Sequence, residues 1–257
     1  MTSYVKQLII PVLLCCVLAL SAPLALAEED LPVTRPPSKY IDLENEYPVD
    51  VYDPFEGFNR GVYRFNTYFD RYFFLPVVRG YEFITPKVAR QGVTNFFSNL
   101  SEVRNFANSL LQGKAEGCVT SLMRFCLNST IGIGGLFDPA TDAGFNQKKE
   151  DFGQTLGVWG LNPGPFVMLP ILGPSSVRDT GGLAVDSVGY SLWSGAVIRE
   201  ISEEESIRNA ITYGMLALNA VNTRSNVKFR YWETGSPFEY DLVRFLYTKK
   251  REFEVAD

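Results

Sequence analysis

The sequence predicts a single, mainly helical domain interrupted by glycine- and proline-rich irregular segments. Apolar residues recur at helical spacing along several stretches, most of them opened by Ser, Thr or Asp. No series of alternating, period-two runs competes with them. The segment 152–177, FGQTLGVWGLNPGPFVMLPILGPSSV, carries no charge, yet glycine and proline break it too often for one membrane-crossing helix. Such a stretch must lie under other elements or against something apolar.

Three regions are expected. Residues 1–27 hold Lys6, an apolar run over 8–20 and Ala25-Leu26-Ala27 before Glu28, the order of a signal peptide cleaved after Ala27. Cys15 and Cys16 lie inside the apolar run behind Leu13 and Leu14, which are not small, so no acyl attachment is expected there. Residues 28–52, with Pro32, Pro36, Pro37 and Pro48, read as an extended lead-in. The domain occupies 53–257.

Within it, Asp53-Pro54 is expected to cap a first helix. Phe58, Val62, Phe65, Phe69 and Phe73 form a broad aromatic face, and Asn59, Arg60, Arg64, Asn66, Thr67, Asp70 and Arg71 cover the rest. Thr85-Pro86 opens a helix to about residue 97, followed by one over 101–111 that Gly113 ends and one over 115–127. The IGIGG run at 131–135 lacks the Lys-Ser/Thr of a phosphate loop and reads as a tight turn or close packing. Ser175-Ser176 starts a helix to about residue 190, whose Gly181, Gly182, Ala184, Ser187 and Gly189 allow close backbone approach. Ser202 with Glu205 suggests a capping box before Ile207, Ile211, Met215, Leu218 and Val221. Ser236, Pro237 and Glu239 open the last helix.

Composition narrows the chemistry. The chain has no His, which removes His-based metal sites and Ser-His or Cys-His nucleophile systems. Its net charge of -5 argues against nucleic acid. Glu150-Asp151 could pass for paired carboxylates, but helical neighbours do not face each other, so they are expected to cap or flank the uncharged segment. Cys118 and Cys126, about 12 Å apart on one helix, are expected as free thiols. No cofactor or metal is implied. Aromatic residues make up 14% of the chain, as a Phe-packed core or a lipid-interface belt would require; composition does not decide between these.

DPFEGFNR at 53–60, continued by YRFN at 63–66, opens a run of specific blocks. GVTNFFSNL at 92–100, NSLLQGK at 108–114, Arg124-Phe125, NSTIG at 128–132 and DPA at 138–140 follow. EDFGQTLGVWG at 150–160 is the most diagnostic, and GPF at 164–166, Leu169-Pro170, GPS at 173–175 and Arg178-Asp179 complete the series. In that order these blocks resemble the MlaA/VacJ family, which handles outer-membrane phospholipid asymmetry in Gram-negative bacteria. The resemblance implies a helical ring in the inner half of the outer membrane. A polar channel would let outer-leaflet phospholipid slide toward a periplasmic lipid carrier, and a trimeric porin would stand alongside. It makes Asn59, Arg60, Arg64, Phe65, Asn66 and Arg178 the candidates for channel lining or gating, with Arg64 and Arg178 suited to a phosphate headgroup. Phe69, Phe73, Trp159, Phe166, Met168 and Leu169 are the membrane-facing candidates. One departure stands out: the family is described as lipoproteins, and the expected attachment cysteine is missing. A soluble periplasmic lipid-binding protein is the alternative, a peripheral structural protein a third reading, and an acid–base enzyme the last.

Overall fold

The computed structural model describes residues 51–231, 233 and 236–256. The expected signal peptide and nearly all of the lead-in lie outside the described residues. Helix α1 spans Glu56–Phe69 and passes through a π-helical turn, Asp70–Phe74, into α2, Leu75–Ile84. The next two, α3 (Lys87–Leu111) and α4 (Ala115–Thr130), form a hairpin, followed by the short α5, Pro139–Asp142. The uncharged segment contains α6, Phe152–Val158, and two antiparallel strands, β1 (Phe166–Leu169) and β2 (Gly173–Ser176), with Phe166 opposite Ser176 and Leu169 opposite Gly173. The long α7 (Val177–Ile201) and α8 (Glu205–Asn226) precede α9, Glu239–Ala256.

These elements close a circuit. Helix α1 packs on β1, β2 touches α7 and α9, α7 packs on α8, and α8 returns to α2, which the π turn joins to α1. Local chemistry explains several of the ends. The side chain of Ser176 accepts from the backbone N–H of Asp179 and starts α7. Asp151 caps α6 in a reciprocal box with Gln154. Gly134 and Gly135 take positive φ in the turn after α4, as the glycine run implies. Gly182 meets the backbone of Gly153 so closely that a Cβ would lie 2.3 Å from the Gly153 nitrogen.

Other expected boundaries shift. Residues 87–111 are one continuous helix with no break near 98–101. Helix α7 runs eleven residues past the expected end, to Ile201. Asp53 caps nothing: its carboxylate accepts from Asn59, the Tyr240 hydroxyl and Arg244 instead, and α1 starts without a side-chain cap. Thr85 is extended backbone before Pro86 and makes no cap for α3. The Ser202 hydroxyl accepts from the Glu204 N–H, outside α8, so the expected box with Glu205 does not form. Ser236 Oγ accepts from Phe238 N–H, immediately before α9. Cys118 and Cys126 are both free.

Polarity is inverted relative to a protein folded for water. Among the described residues the buried hydrophobic side chains are few, and a cluster of Val62, Tyr63, Phe166, Met168 and Tyr240 holds most of them. Buried polar and charged side chains are far more numerous. Asn99, Glu102, Asn105, Asn108 and Ser109 of α3 face Thr120, Ser121, Arg124 and Asn128 of α4, while Leu110, Leu111, Val119, Leu122 and Met123 point outward. Along α7 and α8 the exposed residues include Leu183, Val188, Leu192, Ile201, Tyr213 and Leu216. Water-soluble monomers rarely leave apolar patches on this scale uncovered. No helix among the described residues is long and apolar enough to cross a membrane.

Candidate functional site

Helix α1 and the π turn that continues it present Asn59, Tyr63, Asn66, Thr67 and Asp70 to the interior and turn Phe58, Phe65 and Phe73 outward. Its amphipathic character matches the residue pattern, but the polar stripe is the inward one. Asn59 donates to the Phe166 carbonyl at 3.1 Å and accepts from the Met168 N–H at 2.9 Å. Two helical turns on, Asn66 donates to the Leu169 carbonyl at 3.0 Å and accepts from the Ile171 N–H at 2.7 Å. Two amides seven residues apart therefore satisfy one edge of the hairpin as a third strand would, which an open strand edge otherwise lacks. The Tyr52 carbonyl completes that edge by accepting from Phe166 N–H.

The remaining channel candidates divide. Arg60 pairs with Glu56 and Asp241 and lies 4.3 Å over the Tyr240 ring. Arg178 is buried, pairs with Asp179 at 2.9 Å and donates to the Leu161 carbonyl. Arg64 is exposed and forms no ion pair or side-chain hydrogen bond with the described residues. Phe65 is partly exposed and stacks on Phe69. Asn59, Arg60, Asn66 and Arg178 thus have their polar groups engaged within the fold, whereas Arg64 is free to meet a ligand.

Of the membrane-facing candidates, Phe73 and Trp159 are more than half exposed, at 58% and 56%. Phe69 and Leu169 are half-buried. Phe166 and Met168 contradict the expectation: at 2% and 0% exposure they sit in the apolar cluster under α1, because the hairpin folds inward beneath the Asn59 and Asn66 side chains.

Two buried ion networks hold the interior. Arg124, the lone charge between Gly117 and Thr130, reaches Glu102 at 2.6 Å and Asp138 at 3.1 Å, and also donates to Thr141 and the Phe145 carbonyl. Arg251 of α9 bridges Asp151 and Asp179, tying the first turns of α6 and α7 together, and the Tyr247 hydroxyl donates to Asp179. Burial pushes both carboxyls up, but Arg251 outweighs it and holds them below the usual Asp range. Tyr63 donates to Glu239, and burial together with that carboxylate drives its hydroxyl upward. Isolation in an otherwise uncharged helical run was a signal in the sequence for the Arg124 hub, whereas Arg251, among Lys249, Lys250 and Glu252, carried none. Nothing in the spacing of Asn59 and Asn66 showed what they would hold. No cluster of His, Cys, Asp and Glu able to hold a metal occurs among the described residues.

The model of the MlaA lipoprotein family matches residues 51–254, nearly all of the described chain. The chain belongs to the MlaA family. A solved structure concerned with the structural basis for maintenance of bacterial outer membrane lipid asymmetry shares the helical fold with a TM-score of 0.60 and 30% identity, covering 80% of this chain and 100% of that one. The MlaA protein of Escherichia coli (strain K12), an intermembrane phospholipid transport system lipoprotein, is 39% identical over 138 residues, 52% of this chain and 55% of that protein. An uncharacterised protein of Rickettsia prowazekii (strain Madrid E) is 40% identical over 131 residues, 51% of this chain and 52% of that one. The chain thus spans about half the length of these curated relatives.

Proposed function

We propose that the chain clears mislocalised phospholipid from the outer leaflet of the outer membrane and passes it toward a periplasmic lipid carrier, without catalysing a covalent step. The observation that carries this reading is the inverted polarity: an apolar exterior around an interior of Asn, Ser, Thr and paired charges. Such a body is matched to a bilayer on its outside and to a headgroup on its inside. Carrying a headgroup along a polar path avoids the several kcal/mol, roughly, of desolvating it without partners, while the acyl tails stay among lipid.

In this reading the chain sits in the membrane from the periplasmic side, and no described helix is long and apolar enough to cross it. Phe69, Phe73 and Trp159 form part of the belt. Arg64 and Phe65 border the lipid path, and Asn59, Arg60, Asn66 and Arg178 frame it by fixing the hairpin and the helix starts. A trimeric porin is the proposed neighbour in the membrane. The names of the Escherichia coli and Shigella flexneri relatives, both intermembrane phospholipid transport system lipoproteins, support the transport role.

The test is complementation of a Gram-negative strain whose own MlaA-family gene is deleted, with outer-leaflet phosphatidylethanolamine read by an impermeant amine-reactive probe. Restored clearance supports the proposal. Unchanged surface labelling despite normal protein levels, or full release of the chain by carbonate washing, would favour a soluble lipid-binding role instead.

A further inference from the structure

A cavity of about 380 Å³ opens beside the π-helical turn, lined by Thr67, Asp70, Arg71, Leu75, Arg79, Arg230, Tyr231 and Glu233. Three arginines are among its lining residues. Arg71 lies against the Tyr72 ring and Arg230 donates to the carbonyls of Val227 and Phe229, but no described carboxylate is within ion-pair distance of Arg71, Arg79 or Arg230. Asp70 does not drain their charge, because both of its oxygens are held at 2.6 Å by Arg224. Glu233 contributes the one uncommitted negative charge of the lining and pairs with none of the three. Several buried and half-buried arginines elsewhere in this protein are matched to carboxylates, as at Arg60, Arg124, Arg178, Arg224, Arg244 and Arg251, whereas Arg208, like Arg230, donates to backbone carbonyls. What distinguishes this cavity is that three arginines without an ion-pair partner, Arg71 and Arg79 exposed and Arg230 half-buried, line one opening.

We propose that this cavity binds the phosphate of a phospholipid headgroup. Guanidinium groups offer several donors to phosphate oxygens, and three of them without carboxylates keep donors for an anion even though Arg230 spends one nitrogen on the Val227 and Phe229 carbonyls. The volume lies at the low end for a small-molecule site and suits a headgroup rather than acyl chains. The tails have a place to lie, since Tyr72 and Phe73 are exposed on the same turn. The π turn itself supports the assignment: the extra residue it inserts re-aims the side chains that follow, and such turns occur frequently at functional sites. This inference rests on the lipid-transport reading and names where along the path a headgroup pauses.

The experiment uses the full chain in detergent micelles with dihexanoyl phosphatidylethanolamine as probe and inorganic phosphate as competitor. Binding is measured by isothermal titration for the wild type, for Arg71→Gln/Arg79→Gln, and for Arg199→Gln, an exposed arginine away from the cavity. Losing two charge-assisted partners should weaken lipid binding by about tenfold or more, with Arg199→Gln unchanged. Should the double variant melt earlier than the wild type, Arg79→Gln alone, on the exposed face of α2, must still show weakened binding. Equal affinity of the wild type and the folded cavity variants would overturn the site while leaving lipid transport intact. Inorganic phosphate displacing the lipid at equal concentration would make it a free-phosphate site and overturn the headgroup assignment. No lipid binding by the wild type would sink both.

Discussion

Two adjacent glycines on α7 carry opposite expectations. A Cβ on Gly181 meets nothing within 4 Å, whereas one on Gly182 would lie 2.3 Å from the nitrogen and 2.6 Å from the Cα of Gly153. Ordinary contact between carbon atoms is about 3.5–4 Å, so Gly182→Ala must drive the start of α6 away by about 1 Å. The obstacle is backbone and cannot swing aside as a side chain would. Moving it strains the Phe152 N–H bond to Asp186, 2.9 Å long, and the Arg251 bridge to Asp151. Overpacking of this kind costs about 1–3 kcal/mol, and replacing a helical glycine returns about 0.5–1 kcal/mol. Gly182→Ala should therefore lose about 1 kcal/mol net, at most about 2.5 kcal/mol, and Gly181→Ala gain about 0.5–1 kcal/mol. The two variants differ by the overpacking cost alone, so at about 2–4 °C per kcal/mol for a domain of this size their melting temperatures should separate by about 2–12 °C, followed by circular dichroism in detergent. Equal melting temperatures, or the opposite order, would refute the close approach of α6 and α7.

Arg124→Ala should cost about 3–5 kcal/mol in denaturant unfolding, because the fully buried Glu102 would lose its ion-pair partner; a loss below about 1 kcal/mol contradicts the network. Ser202→Ala should cost less than about 0.5 kcal/mol, since its bond lies outside the helix, while Asp151→Ala loses a cap of about 0.5–2 kcal/mol and the Arg251 pair besides. Finding Ser202 the more sensitive of the two would restore the capping box that the structure lacks. Because the folded-state pKa values of Asp151 and Asp179 are depressed, the stability they give is fully present above about pH 4, near the unfolded value. It is lost as the pH falls through their lower folded values. Melting temperature should drop on acidification below pH 4, and Arg251→Gln should flatten that dependence; an unchanged slope in the variant argues against the bridge.

The fold was legible where the signal was local. Ser176 before Asp179, the glycine turn after α4 and the uncharged segment's glycines each declared their roles through backbone chemistry. Family membership was legible from the ordered blocks. What stayed hidden was the direction of each amphipathic face, because periodicity is the same whether the polar stripe points in or out. That ambiguity explains the false break at 98–101: Ser98, Asn99 and Ser101 look like a loop when polar means exposed, yet Asn99 is interior. It also explains Asp53, a good cap by local rules whose oxygens are taken by Tyr240 and Arg244, nearly two hundred residues away. Phe166 and Met168 were misplaced for a related reason. In a protein with an apolar exterior, hydrophobicity alone does not distinguish the belt from the small apolar core, and only the pairing with Asn59 and Asn66 does.

The central claim is that the apolar exterior faces lipid, and nitroxide labelling in bilayers tests it most directly. Labels at Phe73, Val119 and Leu216, three exposed apolar positions on different helices, would be introduced with Cys118 and Cys126 changed to serine. Relaxation by membrane-soluble oxygen is then compared with relaxation by a water-soluble nickel chelate. The account predicts that oxygen dominates at all three positions; dominance of the nickel chelate at all three would contradict it.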